Sequence, residues 1–324
     1  MKTHKTFRHL HALSACTLLA LFTATTTHAA TDYPKQPISL IVPYSPGGNT
    51  DALARLLADH AGKRLEGNIV IEYKAGANGT MGAMHMKNQK PDGYSLSLLP
   101  LSVLRQPYLV KVKYDPLQDL TWIASVSNYT YVIAVPAKSP WQSIEELVED
   151  AKNNPGKYSY AASAQYSSNH LAMTELGREA GLDWTFIPYK GDSDAITALL
   201  GDHVNIISAT STILPFVENG QVRVLAVAGA ERSPDFPDTP TLKERGFNVE
   251  MLSPLGIGGP AGMNPDVVAK LAKAVEETIQ DPAFIEKARP LGIELSYRNH
   301  QDYTEWAKQT FTNEKEIINR LKDE

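Results

Sequence analysis

The chain has 324 residues, a single cysteine, and 31 Lys and Arg against 36 Asp and Glu, a formal net charge of −5. Wholesale nucleic-acid binding needs a basic surface and is excluded on that balance, although a local site can hold an anion inside an acidic protein. With only Cys16 there is no disulfide framework within the chain, so stability must come from a packed core, and the length suits two domains.

Residues 1–30 carry Lys2, Lys5 and Arg8, then an apolar run over 15–24, then Thr27-His28-Ala29-Ala30. This pattern predicts a secretory signal peptide cleaved near Ala29 or Ala30, with an apolar core too short to span a bilayer. Leu13-Ser14-Ala15-Cys16 superficially matches a lipoprotein processing box. The apolar stretch, however, follows Cys16 instead of preceding it, so lipidation is the second reading.

The next stretch, residues 38–55, sets the pattern for the chain. A β-type run over 38–42 stops at Pro43, passes through Tyr44, Ser45, Pro46, Gly47 and Gly48, and enters an amphipathic series, Ala52, Leu53, Leu56 and Leu57. Asn49, Thr50 or Asp51 can cap that helix. Amides at such a helix start suit a carboxylate or phosphate. The same pattern also describes an ordinary βα connection, and it is neither a Walker A loop nor GxGxxG. A second unit follows: a strand over 69–73, then Lys74-Ala75-Gly76-Ala77-Asn78-Gly79-Thr80 opening a helix over 81–88. Two such loops on neighbouring parallel strands open on one sheet edge.

After the turn Lys90-Pro91-Asp92-Gly93-Tyr94, a strand over 95–99 ends at Leu101-Ser102, and a polar stretch follows. A strand pair is expected at 122–125 and 131–135. Ser143 with Glu146 forms a capping box for a helix over 144–152, the expected crossover into a second domain. There the βα logic repeats: a strand over 157–162, the polar loop Ser163-Ala164-Gln165-Tyr166-Ser167-Ser168-Asn169, and a helix over 171–180. A strand over 185–189, Lys190-Gly191-Asp192 and a helix over 195–200 come next. A strand over 204–208 then ends at Ala209-Thr210-Ser211. The last third predicts a strand over 222–228, a short helix over 242–245, a return strand over 249–259, helices over 266–280 and 302–322, and a strand over 293–296.

Enzyme chemistry has little support. There is no Gly-x-Ser-x-Gly elbow and no His-Glu-x-x-His. His170 behind Ser167 and Ser168, with Asp192 as orienter, is the one hydrolase or lyase reading to test, against a role for these residues as caps or ligand contacts. His60, His85, His203 and His300 have no partners at a metal-ligand spacing, so neither a metal nor a cofactor is expected. Tyr44, Tyr131, Tyr166 and Tyr189 flank the loops and suit cleft lining or rim packing alike.

The chain resembles the Bug family, the extracytoplasmic solute receptors of tripartite tricarboxylate transporters. The resemblance covers essentially all of the sequence after residue 30. It is carried by Ile41-Val42-Pro43-Tyr44 with Pro46-Gly47-Gly48, Asp51 and Arg55, by Gly76-Ala77-Asn78-Gly79 with Gly82, and by Pro91-Asp92-Gly93-Tyr94. It continues through His170-Leu171-Ala172, Pro188-Tyr189-Lys190-Gly191, Val222-Arg223, Pro240-Thr241 and Pro260-Ala261-Gly262.

The resemblance implies an α/β, two-lobed type II periplasmic binding-protein fold, each lobe a mostly parallel sheet flanked by helices. Lobe one would join 31–136 to 249–324, and lobe two would be 137–248. It implies a periplasmic monomer that binds a small organic acid and meets the transporter's membrane subunits transiently, or else presents its ligand to a sensor. The carried-over ligand contacts are Tyr44, Ser45, Gly47, Gly48, Thr50 and Asp51 in the first loop, Asn78, Gly79 and Thr80 in the second, and Ser102 after the third strand. From the second lobe they are Ser163, Tyr166, Ser167, Ser168 and His170, with Lys190, Gly191, Asp192 and Thr210 facing them. One departure stands out. Relatives commonly have a Gly-x-Gly-Ser type loop where this chain has Ala164-Gln165-Tyr166-Ser167, so the solute is expected to differ from the common dicarboxylates. Asp192, at a position where relatives have a small residue, is a candidate contact for a ligand amine or a helix cap.

Overall fold

β-Branched runs alternate with amphipathic helices along the chain, and the computed structural model turns that alternation into two sheets. It describes residues 33–189, 191–291 and 293–322; the expected signal peptide at 1–30 and Lys190 lie outside the described residues. In the first sheet, β1 (Ile38–Val42) pairs in parallel with β2 (Ile69–Tyr73) and β3 (Ser95–Pro100). Helices α1 (Asn49–Arg64) and α2 (Met81–Met86) provide the crossovers that parallel neighbours require. Helix α3 (Ser102–Leu109) then leads to β4 (Leu120–Tyr129).

The chain leaves this sheet at Thr130 and enters the second through β5 (Val132–Pro136). Helix α4 (Ile144–Asn153) starts at the expected cap, with Ser143 Oγ accepting from the Glu146 amide at 3.2 Å. Strands β6 (Ser159–Ala162), β7 (Thr185–Pro188) and β8 (Ile206–Ala209) form a parallel set joined by α5 (Ser168–Ala180) and α6 (Asp192–Leu200). Helix α7 (Leu214–Glu218) precedes β9 (Val222–Val227), which pairs with β5. The chain returns as β10 (Ser253–Pro260), between β3 and β4, and is completed by α8 (Pro265–Ile279), α9 (Pro282–Ala288), β11 (Glu294–Arg298) and α10 (His300–Lys322).

The strand orders are β11-β4-β10-β3-β1-β2 and β7-β6-β8-β5-β9. Read from β2 and from β7, both place the parallel trio first and then the strand that arrives from the other sheet, followed by β4 and β11 in the first sheet and by β9 in the second. The parallel pairing holds within each trio, while β10 and β5 enter antiparallel, so both sheets are mixed.

Several expectations change. The strands at Trp122 and Tyr131 do not pair with each other; they belong to different sheets, and 132–136, placed in the first lobe on sequence, is a strand of the second sheet. Its five residues are all buried because both faces are covered: Ile133 and Val135 join one core cluster, Val132 and Ala134 the other. The helix expected over 242–245 is a single 3₁₀ turn, and the return strand starts at Ser253.

Helix α3 falls in what reads as a polar stretch because Pro107 lies inside it. Proline cannot donate to the carbonyl four residues back. That carbonyl, of Val103, instead accepts from the Tyr114 hydroxyl at 2.8 Å, so the helix survives.

The first lobe's core gathers Ile41, Leu99, Trp122 and Tyr303, with the Trp122 and Tyr303 rings edge to face at 5.1 Å. Helix α10 spans both lobes: Tyr303 and Ala307 pack in this core, while Ile317 and Leu321 pack against the second lobe's core. Gly256 of β10 is pressed against it, and a Cβ there would lie 2.4 Å from the Ala124 carbonyl oxygen and 2.6 Å from the Tyr303 ring. Gly256→Ala is therefore expected to destabilise the protein by about 2–3 kcal/mol, read as a lower urea midpoint at an unchanged slope.

Candidate functional site

Open α/β sheets bind ligands beyond the carboxyl ends of their parallel strands. In the first sheet those ends carry residues 43–48, 74–80 and the link into α3; in the second they carry 163–167, Tyr189, Gly191 and Thr210. Nearly all of the sequence-derived candidates therefore lie at these ends.

The first loop is braced from within. Asp51 Oδ2 accepts from the Gly47 amide at 2.8 Å, and Oδ1 accepts from Arg55 Nε at 3.0 Å and the Tyr73 hydroxyl at 2.7 Å. Burial pushes the Asp51 pKa up, but the Tyr73 hydroxyl, the Gly47 amide and Arg55 outweigh it and hold the group below its usual range. The carboxylate thus faces its own loop, with Gly47 at φ +95°, while Ser45 and Gly48 are exposed. In the second loop Asn78 and Gly79 are both left-handed, and the Thr80 hydroxyl donates to the Ala77 carbonyl at 2.8 Å. Gly79 must be glycine for a second reason, since a Cβ would sit 2.5 Å from the Tyr44 hydroxyl.

In the second lobe Asn169 organises the loop. Its Oδ1 accepts from Ser163 Oγ at 3.0 Å and the His170 amide at 3.1 Å, and its Nδ2 donates to the Ser208 carbonyl at 2.8 Å. Ser167 caps α5 and donates to the Ala164 carbonyl at 2.6 Å. Gly191 lies at φ +153°, and Asp192 opens α6. Asp192 Oδ2 accepts from the Thr210 amide at 2.8 Å, the Thr210 hydroxyl at 2.7 Å and the Thr212 hydroxyl at 3.3 Å, and Oδ1 from Asn169 Nδ2 at 3.4 Å. Burial outweighs the hydrogen bonds from Thr210 and Thr212 and holds its pKa above the usual carboxylate range. Asp192 thus ties three loops together instead of capping a helix.

His170 is packed among rings, with the Phe186 centroid at 4.0 Å and Tyr166 edge-on at 5.9 Å. Its Nδ1 accepts from the Tyr166 amide at 3.0 Å, which makes it the Nε2–H tautomer. Burial, helped by the Arg105 charge, lowers its pKa to about 4. With Nδ1 taken by a backbone amide, and the Ser167 and Ser168 hydroxyls held by Ala164 and Arg105, the nucleophile–base pair a hydrolase needs is not formed.

Three phenols cluster where the first lobe passes into the second. Tyr129 and Tyr131 flank Thr130 on the crossing between sheets, and Tyr44 projects from the first loop. The Thr50 and Tyr129 hydroxyls are hydrogen-bonded. Burial raises the pKa of all three phenols; Tyr131 adds to the rise at Tyr44, and Asp192 adds to it at Tyr129 and Tyr131. All three are neutral hydroxyls at physiological pH. Sequence reasoning left Tyr129, Asn169 and Arg105 out of the site. A Tyr-Thr-Tyr at a strand break was the only signal for the first, and the unpredicted helix α3 hid the third.

Two lobes on matching strand orders, apart from the extra edge strand β11, joined by two crossings and meeting at their strand ends, define a two-lobed solute-binding protein of the periplasmic type. The family model described as the tripartite tricarboxylate transporter family receptor, TctC, matches residues 53–322, and the chain belongs to that family. It is a binding receptor, not an enzyme. It is similar to a protein encoded in the gbd 5′ region of Cupriavidus necator, 39% identical over 292 residues, covering 90% of this chain and 89% of that one. Among solved structures it is similar to the periplasmic binding protein BugD, with TM-score 0.77 and 32% identity over 89% of this chain and 98% of that chain. It is also similar to Rpa4515 of R. palustris with adipate, with TM-score 0.80 and 26% identity over 89% and 98%.

The depressed His170 pKa carries a stability consequence. An unfolded histidine titrates near 6.5, so between about pH 6.5 and 4 the unfolded chain takes a proton that the folded one refuses, and stability falls as pH drops through that window. The loss approaches about 3 kcal/mol by pH 4. His170→Asn keeps an acceptor for the Tyr166 amide and cannot titrate. Urea denaturation at pH 7 and pH 4.5 is expected to show a smaller difference in this variant than in the parent.

Proposed function

We propose that this protein is exported, is cleaved near Ala29 or Ala30, and works as a periplasmic monomer. In this reading it captures a small organic carboxylate between the loops of its two lobes and delivers it to the membrane subunits of a tripartite tricarboxylate transporter. The lobes would be residues 34–129 with 253–324, and 132–249, closing about the two crossings. Among the described residues no helix is long and apolar enough to cross a membrane.

One observation carries the reading: the neutral Tyr44, Tyr129 and Tyr131 phenols cluster where the first lobe passes into the second, beside the amide-rich starts of α1 and α5. Such donors hold a carboxylate through hydrogen bonds to its charge. The acids at the site are already engaged, Asp51 by Arg55 and Tyr73, and Asp192 by Thr210, so their oxygens add less repulsion. Asp51, Asn169 and Asp192 then act as braces for the loops, and the direct contacts fall to the phenols, Ser102 and the loop amides. The saturated carboxylate of Asp192 weighs against a ligand amine there. The adipate in the R. palustris relative supports the carboxylate class and makes adipate the first probe, while the Ala164-Gln165-Tyr166-Ser167 loop favours a solute other than the common dicarboxylates.

The test is a thermal-shift screen of protein refolded from denaturant, run with adipate, other di- and tricarboxylates, acidic amino acids, aromatic carboxylates and the matching amides. A ligand at about a hundred times its dissociation constant adds about 2.7 kcal/mol of stability. Stabilisation by one carboxylate class and not by its amides is the expected result; stabilisation by uncharged compounds alone overturns the reading.

A further inference from the structure

The turn that opens α5 contains a residue in an unusual backbone state. Tyr166 is left-handed, at φ +59°, where glycine is comfortable and a tyrosine is not. Such a conformation persists only where its surroundings hold it. Its amide donates to His170 Nδ1 within the same lobe. Its carbonyl accepts, at 3.0 Å, from Arg105 Nη1, which reaches over from α3 in the other lobe and also donates to Ser168 Oγ at 3.2 Å.

The rest of the guanidinium is fixed. Nε and Nη2 donate to Glu314 Oε2 and Oε1 at 2.6 and 2.8 Å, and Arg105 and Glu314 are 1% and 3% exposed. Glu314 belongs to α10, the helix packed on both cores. A two-pronged pair of this kind sets the guanidinium plane, and with it the direction of the remaining edge. Buried ion pairs add little net stability over well-packed apolar side chains, so their worth lies in geometry.

We propose that Arg105 is a positioning residue: clamped by Glu314, it latches one lobe to the other and holds the Tyr166 turn in the left-handed form on which the second-lobe half of the site is built. This rests on the reading of the loops as the solute site. When the lobes part, Nη1 leaves the Tyr166 carbonyl and the Ser168 hydroxyl, and the Tyr166 backbone keeps only its amide's tie to His170. Closure and the shaping of the turn are then one event, and the solute's residence depends on a contact that the solute does not make.

The test uses the full chain with Cys16→Ser and spin labels on Lys152→Cys in α4 and Lys273→Cys in α8. Arg105→Lys, Ser168→Ala and Tyr166→Gly are introduced singly and in pairs. Lysine keeps the charge opposite Glu314 and loses the second edge. Ser168→Ala removes one latch partner and leaves the ion pair intact, so it decides the matter if Arg105→Lys does not fold.

The label–label distance distribution is expected to broaden in both latch variants without ligand. The dissociation rate of adipate is expected to rise about tenfold in Arg105→Lys with little change in association rate. Glycine adopts φ > 0 without help, so Tyr166→Gly is expected to shrink the effect of Arg105→Lys on dissociation in the double mutant. A merely structural arginine would lower the melting temperature and move neither the distances nor this coupling. Folded Arg105→Lys and Ser168→Ala proteins with parental distances overturn the latch. If adipate fails to bind the parent, the solute reading fails for that acid, and the distances still decide the latch.

Discussion

The backbone passes between the sheets twice, outward at Thr130 and back just before Ser253, and each passage ends in a strand that lies inside the sheet it enters. The two passages run side by side. Ser253 is paired with Tyr129, and the returning chain is tied by the Met251 amide to Ala228, whose own amide donates to the Tyr131 carbonyl. Because β5 and β10 arrive antiparallel, the parallel trios on either side point their carboxyl ends toward the same region. The loops on those ends, and the tyrosines at either side of Thr130, are neighbours as a result of that connectivity.

Around this region the charged side chains are engaged by neighbouring groups of the protein. Asp51 is closed by Gly47, Arg55 and Tyr73, Asp192 by Thr210 and Thr212, and Arg105 by Glu314. Buried charges without such partners are costly. The consequence is a site whose remaining polar groups are neutral hydroxyls and backbone amides. The acids brace the loops that carry these groups.

Much of this was legible in the sequence because βα units are local. The strand, glycine loop and helix at 38–55 and at 69–86, and the capping box at Ser143, follow from neighbouring residues and are found where expected. What was not legible depends on distant partners. The sheet to which Val132–Pro136 belongs is decided by β8 and β9, which lie much further along the chain. Helix α3 was hidden by Pro107, and only the Tyr114 hydroxyl explains why it is tolerated. Arg105 was hidden with it. Asp192 read as a cap or an amine contact, because nothing local announces that Thr210 and Thr212 will take its oxygens. The unusual Ala164-Gln165-Tyr166-Ser167 loop was legible as a departure, but the left-handed Tyr166 within it was not.

The placing of β10 between β3 and β4 bears on how the chain acquires its structure. Those two strands are complete by Tyr129, yet the strand that fills the gap between them begins at Ser253. During synthesis from the amino end, β3 therefore keeps an open edge and β4 lacks its partners until the whole second lobe has emerged. Pairings of such long sequence separation form slowly, and unpaired edges invite association with other chains. The first lobe, although it holds the amino terminus of the fold, is thus the last to be finished.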